Sequence, residues 1–302
     1  MLTHRQGERL RRLLVAIMAT MLICGGIARL GSAQDSDERR LWDTEFLKKR
    51  QPAKTSSTAR KPPAYRRTTA KPAAAADDKV AGEMLGVTVW RLRPSDAADH
   101  KDSRLLLQDE DKDDNKEWTP ERVEAETAFA TGERVRLSIE SSRAGYLYVI
   151  DREQYNDGTT SEPYLIFPTL RIRNGNNAVA AGKVIELPEK TAFRLTPMRP
   201  DYKGELLTLI VATEPLAEIV IGPRIQKLEG RQVEQWERQW AAAIERFEMV
   251  GGAGKTYTRT EKEAGTEGRL LTQEDELPQT LYRIVPKPGM PLLVAVPLRI
   301  GK

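Results

Sequence analysis

Residues 128–168 read AFATGERVRLSIESSRAGYLYVIDREQYNDGTTSEPYLIFP, and their periodicity decides the fold class. From Arg134 to Glu140 polar and apolar residues alternate. Val135, Leu137 and Ile139 fall on one face and the charges on the other, the pattern of a half-buried antiparallel strand. Ser141 to Gly145 is a turn-rich link in which Gly145 is free to take a positive φ. Tyr146 to Ile150 is apolar or aromatic on both faces, which predicts a central strand covered on both sides. An acidic segment, Asp151 to Gly158, leaves that strand, and Tyr164 to Phe167 returns before Pro168. Such short links predict an antiparallel meander or hairpins, with Val135 to Ile150 as the core hairpin.

The same pattern extends on both sides. Met84 to Leu92 alternates and is β-branched, a first strand, and Leu105 to Leu107 is a second. Thr119-Pro120-Glu121 reads as a helix start, with Thr as cap and Pro at the first position. Downstream, Val184 to Leu187, Phe193 to Leu195 and Ile219 to Ile221 read as strands, and Leu206 to Ala212 as a second central one. Gly230 to Glu248 changes character. Val233, Trp236, Trp240, Ala243, Ile244 and Phe247 recur at three and four, which predicts one amphipathic helix. Its Trp/Phe stripe is expected to be a seam on the β-domain, with a partner groove or membrane face as the alternative. Leu281 to Val285 and Leu292 to Val296 flank Pro286 to Gly289 as a hairpin that joins or caps the main sheet. The expected fold is mainly β: an antiparallel β-sandwich-like domain over residues 81–222, with a C-terminal amphipathic helix and hairpin, residues 223–302, packed on it.

The N-terminus has the form of an export signal. Arg5, Arg9, Arg11 and Arg12 precede an apolar run from Leu13 to Ile23, and Gly31-Ser32-Ala33 supplies small residues before Gln34. Residues 1–33 are therefore expected to be a signal peptide, placing the protein in the periplasm or outside the cell. The alternative is an uncleaved inner-membrane anchor over Leu13 to Leu30. Residues 34–80 are rich in Pro, Ala, Ser, Thr, Lys and Arg, with little to bury, and are expected to form a disordered linker. Its Lys48, Lys49, Arg50, Arg60, Lys61, Arg66 and Arg67 are candidates for contact with an anionic surface.

Composition excludes several chemistries. The net charge of the 302 residues is +4, but the charge is unevenly distributed. Residues 1–77 carry 16 Lys/Arg against 7 Asp/Glu, and the remaining 225 carry 32 against 37. The folded part is thus mildly acidic and offers no sign of a nucleic-acid surface. Cys24 is the only cysteine, so a chain cleaved after Ala33 has no disulfide, Cys nucleophile or Cys-ligated metal. It would keep one histidine, His100, too few for a His-based triad or multi-His metal site. Asp109, Asp111 and Asp113 begin like a calcium loop, but Asp114 stands where Gly is needed and Pro120 where Glu is needed. Gly254-Lys255-Thr256 follows a helical pattern instead of a strand and lacks the earlier Gly of a phosphate loop, because Met249 is there. No cofactor, metal or catalytic residue is expected. The remaining binding candidates are Asp151, Glu153, Tyr155, Asn156 and Asp157, in the acidic segment after the central strand. Carboxylates there could bind a cation or basic peptide, or act as acid and base on a glycan.

The block TGERVRLSIESSRAGYLYVID, followed by YLIFP, Val184 to Pro188 and Leu206 to Ala212, resembles the domain-of-unknown-function family 4384. Gly132, Glu133, Gly145, Tyr146, Tyr148 and Leu165 through Pro168 carry the resemblance, which spans roughly Thr119 to Pro215. It implies a β-rich bacterial domain with an accessory, recognition or sensing role, and brings no catalytic motif. The expected function is an exported, non-catalytic binding or assembly module of the cell envelope, contacting an envelope protein or cell-wall component. The alternatives are an envelope hydrolase using the acidic residues and a membrane-anchored sensor.

Overall fold

The structure, a computed structural model, describes residues 45–52, 63–68, 82–107 and 116–301. The signal segment, the alternative anchor, much of the linker and residues 108–115 of the acidic stretch lie outside the described residues. In chain order the strands begin with β1 (Tyr65–Arg67), β2 (Glu83–Pro94), β3 (Leu105–Leu107), β4 (Lys116–Val123), β5 (Ala128–Phe129), β6 (Arg134–Ser141), β7 (Gly145–Tyr155) and β8 (Tyr164–Phe167). Then come β9 (Ala178–Val179), β10 (Ile185–Leu187), β11 (Phe193–Arg194), β12 (Tyr202–Ala212) and β13 (Gln226–Lys227). Helix α1 (Gly230–Gln239), β14 (Ala243–Met249), helix α2 (Arg259–Thr266), β15 (Thr280–Val285) and β16 (Leu292–Ile300) complete the chain.

The strands form two sheets, as the mainly β, antiparallel reading predicts. The first has the order β1-β14-β15-β2-β4-β3, with β6 on the other side of β2 and β10 and β11 beyond it. The second has the order β13-β8-β7-β12-β16-β5, with β9 beside β7. Pairing is antiparallel except between β16 and β5. Alternation builds the core between them. Leu85, Val87 and Val89 of β2 and Val135, Leu137 and Ile139 of β6 face Leu147, Val149, Leu207, Leu209 and Val211 of the second sheet. Each such side chain contributes roughly 1.5–3 kcal/mol on burial.

The run Tyr146 to Ile150 is apolar on both faces because both are covered, as expected of a central strand. Tyr148 and Ile150, with Leu165 and Ile210, point away from the sandwich core and lie under Val233 and Trp236 of α1 and Trp240 at its C-terminal cap. The two indoles stack with centroids 5.4 Å apart.

Several connections differ from the expected hairpins. β6 and β7 do not pair; the Ser141–Gly145 link carries the chain from the first sheet to the second. β15 and β16 likewise belong to different sheets. In both cases the period-two pattern is right, but pairing is decided by where the complementary apolar face lies. The predicted long helix ends at Gln239, and Ala243, Ile244 and Phe247 are in β14. There Phe247 pairs with Leu281 of β15 and Arg67 of β1. Thr119 and Pro120 are within β4, where Pro120 lies opposite Leu92, instead of starting a helix. Ile219 to Ile221 is irregular.

Parts of the expected linker are folded. Residues 45–49 form a helical turn that buries Phe46, and Tyr65–Arg67 adds β1 to the edge of β14. Arg50 is only 2% exposed. Its five donors are all used: Nε and Nη2 grip Glu140 at 2.8 and 2.6 Å, and the rest reach the carbonyls of Thr272, Asp275 and Glu276. Glu140 also accepts the Gly182 N–H at 2.9 Å. Arg50 therefore cannot meet an external surface, and Arg66 and Arg67 are paired with Glu124 and Glu245. Lys48 is exposed but paired with Glu45 at 2.6 Å, Lys49 is exposed, and Arg60 and Lys61 lie outside the described residues.

The pair joins the N-terminal segment, the family-like strand β6 and the cover over residues 250–280. Removing one partner of a buried ion pair leaves the other charge unpaired and costs on the order of 3–5 kcal/mol. Arg50→Ala should lower the urea midpoint accordingly, although it lies in a stretch that reads as linker. A loss below about 1 kcal/mol would show that the segment does not hold the cover down.

Candidate functional site

The predicted site residues are divided by the strand itself. β7 continues five residues past Ile150, so Asp151, Glu153 and Tyr155 are strand residues instead of loop residues. They share the inward face of Leu147 and Val149 and occupy the end of the sandwich. Asn156 and Asp157 are exposed in the turn beyond.

Glu153 accepts from the Tyr155 hydroxyl at 3.0 Å and from the Met198 N–H at 3.3 Å. Burial and then Glu153 raise the Tyr155 phenol. Asp157 is turned outward. It accepts from the Thr159 N–H and hydroxyl at 2.8 and 2.6 Å and from Arg199 at 3.2 Å, and these bonds, Thr159 first, hold its carboxyl below the usual range. Asp151 and Glu153 are thus brought to one place, and Asp157 is not.

The missing member is Glu205, which the sequence reading did not select. It is opposite Glu153 in the register of β12 and β7, and Leu207 is opposite Asp151. A bulge between Tyr202 and Gly204 lets the Tyr202 hydroxyl donate to Glu205 at 2.6 Å. Gly204 has φ +139°, and a Cβ there would meet the Leu298 carbonyl, so only glycine fits. Asp151 Oδ1 and Glu205 Oε2 are buried without another partner. Neither oxygen has a hydrogen-bond partner among the described residues, and two interacting buried carboxyls favour a proton held between them. Burial, then the charge of Glu153, pushes Asp151 up to about 6. Burial, then Asp151, pushes Glu205 up to about 8.

The folded carboxyls hold protons that the unfolded chain releases at ordinary carboxylate pH. Their contribution is complete below about pH 4 and is lost as pH rises through about 6 to 8. Thermal stability should therefore decline from pH 5 to pH 8. Glu205→Gln, which keeps a permanent donor toward Asp151, should flatten the decline by on the order of 2 kcal/mol. An unchanged slope in melting experiments would remove the shared proton.

A second candidate lies where the sandwich opens. A cleft of about 730 Å³ runs between the β11 edge of the first sheet and the β8–β13 edge of the second. Ile166, Ile172, Phe193 and Ile225 provide apolar walls. Arg134, Arg171, Lys190, Arg194 and Arg224 provide charge, against the single carboxylate of Glu189. Arg134 stacks on Trp118 at 4.8 Å. Arg171, Lys190, Arg194 and Arg224 are exposed and have no acidic partner among the described residues. A neighbouring hollow of about 660 Å³ shares Arg134 and Arg194. Its Arg91 and Arg93 are neutralised by Glu133, Asp99 and Glu121, whereas the shared Arg194 is not. The sequence held one hint: residues 169–194 contain five Lys/Arg and two Glu in a domain that is acidic overall.

Among the described residues no group of three or more His, Cys, Asp or Glu is arranged to hold a metal. His100 is exposed. No helix of the described residues is long and apolar enough to cross a membrane.

The fold defined by β5 to β12 coincides with a recognised family. Residues 128–215 match the family described as Domain of unknown function (DUF4384), as the quoted motifs suggest. That segment supplies β6, β7 and β12 and most of the cationic cleft. No curated protein and no solved structure matches the chain.

Proposed function

We propose that the protein is an exported, non-catalytic binding module of the bacterial cell envelope, periplasmic or extracellular, and that its ligand is anionic. The observation that carries the reading is the cleft between the sheet edges. It keeps Arg171, Lys190, Arg194 and Arg224 exposed without acidic partners over an apolar wall, in a folded part that is acidic overall. Clustered unpaired cations raise the local concentration of anions and place them over the apolar surface. The export-type N-terminus supports an envelope setting, and the exposed Lys49 would add a weaker anionic contact.

An envelope hydrolase built on Asp151, Glu153 and Asp157 has less support. Glycoside hydrolysis needs two carboxyls roughly 5 Å or more apart with a sugar between them. Here Asp151 and Glu205 are buried together with their carboxyls raised by burial, Glu153 is occupied by Tyr155 and Met198, and Asp157 faces away.

The reading is tested in the full chain with a soluble polyanion, tripolyphosphate, by titration calorimetry at low salt. The charge-reversed variant Arg171→Glu/Arg194→Glu/Arg224→Glu should lose at least tenfold in affinity, whereas Asp151→Asn/Glu153→Gln/Asp157→Asn should bind as the parent does. Equal binding by the charge-reversed variant would overturn the cleft as the site.

A further inference from the structure

Exposed apolar side chains stand at the rim of the cleft, with Ile225 also part of its wall. Among the described residues Leu170 is 50% exposed, Val220 77% and Ile225 55%. They sit on two loops held side by side. The Leu170 N–H donates to the Gly222 carbonyl at 2.8 Å, and the Gln226 side chain donates to the Val220 carbonyl at 2.8 Å. Leu170 and Ile221 both border Gly175, whose φ of +77° strains any side chain placed there. The tip is therefore a supported apolar surface, and Arg171 and Arg224 lie next to Leu170 and Ile225 in the chain.

We infer that this face docks on the surface of an anionic phospholipid bilayer. Leu170, Val220 and Ile225 enter the interfacial region, while Arg171, Arg194 and Arg224 meet lipid phosphates. The inference rests on the proposed anion-binding cleft and names its ligand. Charge complementarity alone would suit a soluble acidic peptide as well. The apolar tip decides between them. Leu170 and Val220 do not line the cleft, so a peptide bound in it would leave both in water. A bilayer would cover them together with Ile225. Apolar residues at a loop tip flanked by cations are what interfacial binding requires, since partition grows with both buried apolar area and attraction to anionic lipid. Exposed apolar patches beside charge mark contact surfaces in general.

The test uses the full chain with Cys24→Ser and Val220→Cys, labelled at position 220 with an environment-sensitive fluorophore. The readout is local, so binding through the N-terminal region does not move it. Phosphatidylglycerol vesicles should shift the emission to the blue, and phosphatidylcholine vesicles should not. Adding Arg171→Glu/Arg194→Glu/Arg224→Glu should raise the lipid concentration for half-maximal shift at least tenfold. Leu170→Ser/Ile225→Ser, which leaves every charge in place, should also weaken the shift severalfold. If the label stays in water on phosphatidylglycerol while tripolyphosphate still binds through the arginines, the membrane inference fails and the anion-binding reading stands. If the charge-reversed variant matches its parent on both lipid and tripolyphosphate, both fail.

Discussion

The structure depends on one constraint: the outer face of the first sheet carries charge, and that face is buried. Arg136, Ser138 and Glu140 alternate with the core residues of β6, as solvent-facing residues of a surface strand would. Instead, Arg136 pairs with Glu186 at 2.8 Å, Glu140 with Arg50, and Arg122 of β4, on the far side of β2, with Glu261 of α2. Tyr257 donates to Glu186, and Trp90 donates to Ser138 at 2.7 Å. A charge in such a place is tolerated only when paired and hydrogen-bonded. Each pair therefore sets where its partner segment must lie. The N-terminal segment and the segment from Tyr257 to Glu276 are positioned by the anions and cations they bring to the sheet.

The second sheet uses the opposite solution. Its outer face is mainly apolar under the stacked Trp236 and Trp240, with one ion pair, Arg152 to Glu237 of α1. A charged face demands particular partners, whereas an apolar face demands only coverage. The helix cap is accordingly a single amphipathic element readable from its stripe, and the polar cover is assembled from pieces far apart in the chain. The inward-facing carboxyls at the end of the sandwich are a third case. Raised by burial and by neighbouring carboxylates, Asp151 and Glu205 reduce their burial cost by holding a proton.

Such covering leaves the open side of the sandwich with a cluster of cations that have no acidic partner among the described residues. Arginines elsewhere in the first sheet have carboxylate partners, as Arg93 has in Asp99 and Glu121. Around the cleft Arg171, Lys190, Arg194 and Arg224 have no acidic partner among the described residues, although Glu residues are plentiful in the chain. The contrast within one domain is what separates a structural arginine from one available to a ligand, and it places the candidate site in the segment that matches the family of unknown function.

Periodicity alone sufficed for the strands at Met84 to Leu92, Arg134 to Glu140, Tyr146 to Ile150 and Leu206 to Ala212, and for the β-rich class, because a period of two depends only on neighbouring residues. The family resemblance was legible for the same reason, in contiguous motifs around Gly145 and Leu165 to Pro168. Strand partners were not legible. The same alternation in β6 and β7, or in β15 and β16, permits a hairpin or a crossing between sheets, and the choice is made by distant apolar faces. Nor could the chain show locally that Arg50 belongs to Glu140, 90 residues away, or that Glu205 joins Asp151 across β12 and β7. In a linear string a charged residue reads as solvated; only the tertiary structure decides whether a counter-charge is waiting, because that pairing is a property of positions in space.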